Sequence, residues 1–237
     1  MAKEVIVTSD KIKRQKIRAR IVKISLLSLL LIMIIAYLVL KVIFNEGNFT
    51  ILLDKQNDED SGLAIYYSLN DPSPKRKLEA PSISFMDNIS WKWLPADIDT
   101  ESDGSHNGDN YVAYSFYIEN QGKKSLHYWY EITIDDVIKN VDEAIRIMIF
   151  QNGEKTVYAK KNGLTGKPEP NTVPFIDDMD KTVILEKRAD FKPDDLDRYT
   201  IVIFLEGDDP ECVDALIGGG LKLKMTIRDQ FIRKSKK

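Results

Sequence analysis

One cysteine in 237 residues, Cys212, excludes an internal disulfide. If the body of the chain lies outside a cell, that lack points to a bacterial exported protein rather than a cysteine-rich animal ectodomain. Histidine is almost as scarce. His106 and His127 are the only two, and no HExxH stretch occurs, so the helix-borne pair of zinc ligands of a metalloprotease is excluded. No internal repeat is visible. Concentrated positive charge is also missing from most of the chain: residues 42–237 hold 25 Lys/Arg against 35 Asp/Glu, a balance of −10. A body this acidic does not suit nucleic acid, which needs clustered Lys/Arg against its phosphates.

The positive charge is at the other end. Residues 1–23 carry eight Lys/Arg against Glu4 and Asp10, a balance of +6. The next 17 residues, ISLLSLLLIMIIAYLVL at 24–40, contain no charge, and KVIF extends the run to residue 44. At about 1.5 Å per residue, 21 residues reach ~30 Å, the thickness of a hydrocarbon core. Apolarity on every face argues against a buried helix of a soluble protein, and Lys41 is close enough to the end to snorkel to headgroups. No small-x-small cleavage pattern follows, so an uncleaved signal-anchor is expected rather than a removable signal peptide. The surplus of Lys/Arg before the span assigns the N-terminus to the cytoplasm and the body to the exterior, a single-pass type II arrangement in the cell membrane.

Beyond the span the hydrophobic period becomes two. Stretches such as YVAYSFYI, SLHYWYEITI, AIRIMIF, TVILEK, YTIVIFL and LKLKMTIR alternate apolar and polar residues and are separated by turn residues. Gln151-Asn152-Gly153-Glu154 is a strong hairpin signal, because a type I′ turn needs positive φ at both central positions. ENQGKK between the first two stretches reads as a second hairpin turn. SISFMDNISWKW also alternates, and residues 136–144 and 210–217 are short helix candidates. The expectation is an all-β fold: an antiparallel jelly-roll or Ig-like β-sandwich ectodomain preceded by one transmembrane α-helix. The expected domains are a basic cytoplasmic segment (1–23), the transmembrane signal-anchor (24–44), a stalk with a first strand and loops (45–82), the extracellular sandwich (83–230) and a basic tail (231–237).

The succession YSFYIENQGKKSLHYWYEITI, then YTIVIFLEGDDPECVDALIGGGLKLKM, resembles the TasA/camelysin-like group of exported bacterial surface and biofilm-matrix proteins. Many of its members carry a strand ending in a WLEGxDPEC-like turn, then Gly-Gly and a last amphipathic strand. The match covers roughly residues 110–228. The resemblance implies a jelly-roll-type sandwich, secreted or held at the surface, that in some members assembles into fibres by strand donation. Members usually have a cleavable export signal, where this chain has a long basic segment and no comparable site. Camelysin-like members have been called metalloproteases, an activity for which this chain offers no HExxH.

Glu206, Asp208, Asp209, Glu211 and Asp214 crowd one loop. Hard oxygen donors at this density are what Ca²⁺ requires, and a solvated turn with a capping aspartate is the alternative. Lys222 and Lys224 are near enough in sequence to offset the charge. A second acidic run, Asp97, Asp99, Glu101 and Asp103 before Gly104, looks like the start of a calcium loop. Its twelfth position counted from Asp99 is Asn110 rather than Glu, which favours a plain surface loop. Cys212 is a nucleophile candidate with His106 or His127 as base, or a small apolar residue packing a corner. His127 shares a strand face with Trp129, which favours packing over catalysis. Trp91, Trp93, Trp129, Tyr111, Tyr114, Tyr117, Tyr128 and Tyr130 either line a glycan platform or fill the sandwich core, and alternate strand positions favour the core. The sequons at Asn48 and Asn88 carry no weight in a bacterial protein.

The expected function is a non-enzymatic, membrane-anchored surface protein that binds or assembles, with self-association or contact to other surface or matrix proteins. No small-molecule substrate is indicated, and Ca²⁺ is the one candidate cofactor. An envelope factor supporting export or assembly of related matrix proteins is the alternative, and a camelysin-like hydrolase is the third.

Overall fold

A computed structural model describes residues 9–44, 49–54, 62–71, 73–83, 85–176 and 181–230. The expected basic tail and the polar run at 55–61 lie outside them. The chain divides into two compact units, meeting between residues 46 and 47.

Among its described residues the first unit is one helix, α1 (Ser9–Phe44). Residues 13–39 of it are long and apolar enough to cross a membrane, and their side chains are exposed, including Leu26, Leu27, Leu30, Ile32, Ile34 and Ile35. β-Branched residues are indifferent helix formers in water. In a bilayer every backbone N–H and C=O must be satisfied internally, which favours the helix whatever the side-chain propensity.

The second unit is a two-sheet β-sandwich. Its strands are β1 (Phe49–Asp54), β2 (Leu63–Tyr66), β3 (Lys77–Ala80), β4 (Gly104–Ser105), β5 (Tyr111–Asn120), β6 (Leu126–Ile138), β7 (Ile145–Gln151), β8 (Glu154–Ala159), β9 (Val173–Pro174), β10 (Thr182–Phe191), β11 (Leu196–Leu205) and β12 (Gly220–Gln230). One sheet has the order β10-β6-β12-β1-β3. The other runs β2-β5-β11-β7-β8-β9, with β4 on β5. Alternation decides what meets between them. Tyr128, Tyr130 and Ile132 of β6, Met225 and Ile227 of β12, and Phe49 and Ile51 of β1 face Phe116 and Ile118 of β5, Ile147 of β7, and Tyr199 and Ile201 of β11 in one buried core. Phe116 stacks on Tyr199 at 5.4 Å, and Tyr130 meets Tyr199 edge-on at the same distance.

Five sequence expectations change. The sandwich begins at β1, not at residue 83, because β1 to β3 of the expected stalk pair within the sheets. Most pairings are antiparallel, but β1 lies parallel to β12 and β9 parallel to β8. β5 and β6 are not a hairpin, since they belong to opposite sheets. Asn120, fully buried, directs the chain across: its amide nitrogen donates to the carbonyls of Lys124 and Phe191, and its oxygen accepts from Gly122 N–H. The helix candidates shrink to 3-10 turns at Val141–Glu143 and Asp214–Leu216, and SISFMDNISWKW supplies a single bridge at Ile89 and a 3-10 turn at Trp91–Trp93 rather than a strand. The Asn152-Gly153 hairpin between β7 and β8 forms as expected, with φ of 53° and 85°.

Candidate functional site

β7 and β11 are neighbours, with Arg146 opposite Phe204 and Met148 opposite Val202. Their inward positions enter the core, so Arg146, Met148, Val202 and Phe204 face outward. The segment carrying Ile89, Leu94 and Ile98 covers this outer face and makes a second apolar cluster with Ala113, Met148, Val202 and Phe204. Arg146 sits at its edge with 5% of its surface exposed. A buried guanidinium requires partners.

The partners come from two loops. Just past β11, backbone bonds from Asp209 N–H to the Glu206 carbonyl and from Cys212 N–H to the Asp209 carbonyl fold GDDPE into tight turns. Those turns aim the Asp209 carboxylate inward, where Oδ2 accepts from Arg146 Nη2 at 2.6 Å and Oδ1 accepts from Glu211 N–H at 2.8 Å. The second loop, between β8 and β9, brings Glu169, whose Oε2 lies 3.9 Å from the same Arg146 nitrogen. Glu211, half-buried, accepts from Gly163 N–H at 3.0 Å and from the Asn162 amide at 3.3 Å, which ties the two loops together. Ligand oxygens of Glu169, Asp209 and Glu211 all lie within 4.8 Å of one another. Partial desolvation, then the hydrogen bond to Asp209 and the nearby charges of Asp209 and Glu169, raise the Glu211 carboxyl above its ordinary value.

Beside this cluster is a cleft of about 530 Å³ whose walls include Trp91, Lys155, Glu169, Glu206 and Asp208. The Lys155 ammonium sits 5.3 Å from the Trp91 ring centre. A second, apolar recess of about 340 Å³ opens at the end of the sandwich, where Phe85, Val213 and Ile217 are exposed and Ile145, Ile203 and Leu223 form the floor.

The five loop carboxylates do not converge as a set. Asp209 and Glu211 join Glu169. Glu206 is buried and accepts from the N–H groups of Trp91 and Asp208. Asp208 is exposed and accepts from the Ser90 hydroxyl, while Asp214 is exposed in its 3-10 turn and makes no side-chain cap. Arg146 offsets the charge of Asp209, and Lys224, one of the two lysines expected to do so, pairs with Asp135. Arg146 and Glu169 are the site residues that sequence reasoning missed. Arg146 could have been noticed as the one charge inside AIRIMIF, and Glu169 as a carboxylate locked between two prolines.

The remaining candidates are placed as follows. Cys212 is half-buried and accepts from the Asn88 amide at 3.3 Å. The His106 ring nitrogens lie 3.0 Å from the carbonyls of Gly104 and Ile98, and His127 Nδ1 accepts from Asp190 N–H, so both histidines are engaged away from the thiol. The second acidic run is part of the cover over the outer face. Ile98 is buried within it, and Asp103 accepts from Tyr117 and Ser68 and pairs with Arg198. Tyr114, Tyr128 and Tyr130 are core residues. Trp129 lies on the opposite face of β6 under the Lys187 ammonium, and Trp91 and Trp93 are exposed.

No family model and no curated protein matches the chain. Among solved structures, the β-glucosidase from Kluyveromyces marxianus in complex with glucose aligns over 79% of this chain at 12% identity and a TM-score of 0.28. The Se-Met-labelled form of that enzyme aligns over 76% at 11% identity and a TM-score of 0.25. This chain spans 18% of the length of either, and at these TM-scores the likeness bears on neither fold nor activity.

Proposed function

We propose that the protein is a single-pass membrane protein that displays its β-sandwich outside the cell, in a binding or assembly role of the kind found among TasA/camelysin-like surface proteins. The observation that carries this reading is the pairing of one exposed, uninterrupted apolar helix with a sandwich that closes a full core of its own. The +6 segment before the span holds the N-terminus in the cytoplasm and leaves residues 47–237 outside.

A binding role is favoured over catalysis by the state of the best nucleophile, since Cys212 is paired with an asparagine amide and both histidines are engaged elsewhere. It is also favoured by the exposed Phe85, Val213 and Ile217 around the apolar recess, because contiguous apolar surface marks contact sites. Free strand edges offer less. β2, β3 and β9 are four residues or fewer, and β10, the one long edge strand among those described, carries bulges and the charges Glu186, Lys187, Arg188 and Asp190.

The test is protease added to intact cells that lack an outer membrane and express the chain with a C-terminal epitope. The epitope-bearing body should be cut without permeabilisation. A body that resists until the membrane is opened overturns the orientation and the surface role together. Chelator-sensitive casein turnover by the purified protein would replace the binding reading with a hydrolase.

A further inference from the structure

Three carboxylates meet one guanidinium at the junction of the two loops. Arg146 and Asp209 make a close pair, which leaves Glu169 and Glu211 without a full countercharge in a region largely shielded from water. Glu169 is the telling residue. Its side chain is 7% exposed, Oε2 has only the long approach to Arg146, and Oε1 is buried with no hydrogen-bond partner. Leaving a buried carboxylate oxygen unmatched costs free energy, and the backbone gives it little room to escape. Pro168 and Pro170 restrict the chain on both sides of Glu169, and its carbonyl accepts from both Thr172 N–H and Thr172 Oγ1.

We propose that Glu169, Asp209 and Glu211 form a divalent-cation site of the Ca²⁺ class that clamps the loop at 162–172 to the loop at 206–214. The donors are hard oxygens, the type calcium takes. Their spread fits the ion's size. Two oxygens bound to one Ca²⁺ at about 2.3–2.6 Å lie up to ~5 Å apart, so a set that lies within 4.8 Å of one another can share one ion. Mg²⁺ demands near-ideal octahedral geometry and gives up its waters reluctantly, so a site built from three protein carboxylates favours Ca²⁺. The neighbouring cleft, with Glu169 in its wall, provides the entry path and room for the waters that complete the coordination. The site differs from the five-carboxylate loop expected from sequence: Asp208 and Asp214 are outside it, and a residue some 40 positions upstream of Asp209 is inside it. It is independent of the surface role proposed above.

The experiment is isothermal titration of the calcium-stripped full-length protein in detergent with CaCl₂ and, separately, MgCl₂, with a thermal melt at each end point. One saturable Ca²⁺ site, a raised melting temperature and at least ten-fold weaker Mg²⁺ binding are expected. Glu169→Gln should abolish the saturable heat, while Asp208→Asn and Asp214→Asn should retain it. No saturable binding in millimolar Ca²⁺, or Glu169→Gln binding like the parent, overturns the site. If Glu169→Gln does not fold, Tb³⁺ bound to the parent decides. Its luminescence, excited through Trp91 on the cleft wall, should be displaced by Ca²⁺ and largely lost in Trp91→Phe; emission unchanged in Trp91→Phe places the ion elsewhere and overturns the proposal.

Discussion

Arg146 holds the acidic corner together. It is 5% exposed, and Asp209 and Glu169 depend on it for positive charge. Arg146→Met keeps most of the side-chain volume but strands buried carboxylates, and should lower unfolding stability by about 3–5 kcal/mol in denaturant titrations. Adding Asp209→Leu to that variant should recover only part of the loss, because it removes one of the two stranded carboxylates and leaves Glu169 buried and unpaired. A similar network closes the far end of the core. Tyr128 donates to Asp197 at 2.5 Å, and Asp197 also accepts from Arg188 and Asn152. None of these pairings was readable in the sequence, since the partners of Arg146 lie 63 and 23 residues away and only the folded sheets bring them together.

At the scale of the element, the loop that follows β11 is decided by close approach. A Cβ on Gly219 would stand 2.3 Å from Val141 Cγ1 and 2.8 Å from the Ile138 carbonyl, so the return into β12 passes where no side chain fits. Gly219→Ala should cost about 1–3 kcal/mol through overpacking, read as a lower melting midpoint. Gly153, open on all sides at φ 85°, should lose only about 1–2 kcal/mol on change to alanine, from backbone strain alone. The glycine run and the Asn-Gly turn were visible as turn chemistry. That the β5–β6 turn crosses between sheets was not, because local turn propensity carries no information about which sheet receives the next strand. For the apolar part of α1 the sequence was sufficient, whereas its start at Ser9, inside the basic segment, was not read from it. Leu30→Arg, near the centre of the apolar run, should cost about 2.5–3.5 kcal/mol of insertion and shift protein from the carbonate-resistant membrane fraction to the soluble one.

Over the whole sandwich the tyrosines set an alkaline limit. Burial pushes Tyr114 and Tyr130 from 10.0 up to about 12, with the charge of Glu186 adding to the second. Tyr66 is pushed up to about 12 as well, by burial and then by its hydrogen bond to Glu119, and Tyr128, Tyr158 and Tyr199 shift the same way. The fold therefore favours the neutral phenols, while the unfolded chain ionises near 10. Their contribution is intact below pH 10 and is lost as pH rises from 10 through about 12. Denaturation midpoints should fall across that window, with tyrosinate absorbance rising in step with unfolding. Buried tyrosines that titrate near 10 in a protein still folded would contradict the assignment.

Local sequence was enough for the long apolar helix, the all-β character of the body, most strand positions and the β7–β8 hairpin. Each rests on local physics: a run long enough to satisfy its own hydrogen bonds in lipid, a period of two, and turn residues that tolerate positive φ. It took the assembled sheets to bring β1 to β3 into the sandwich, to set β1 parallel to β12, and to build the charged corner from Glu169 and Arg146 with part of the acidic loop. Those outcomes depend on which distant segments share a sheet edge or a loop cluster. Contacts of that kind are fixed by burial of the whole core, and composition and spacing along the chain do not encode them one at a time.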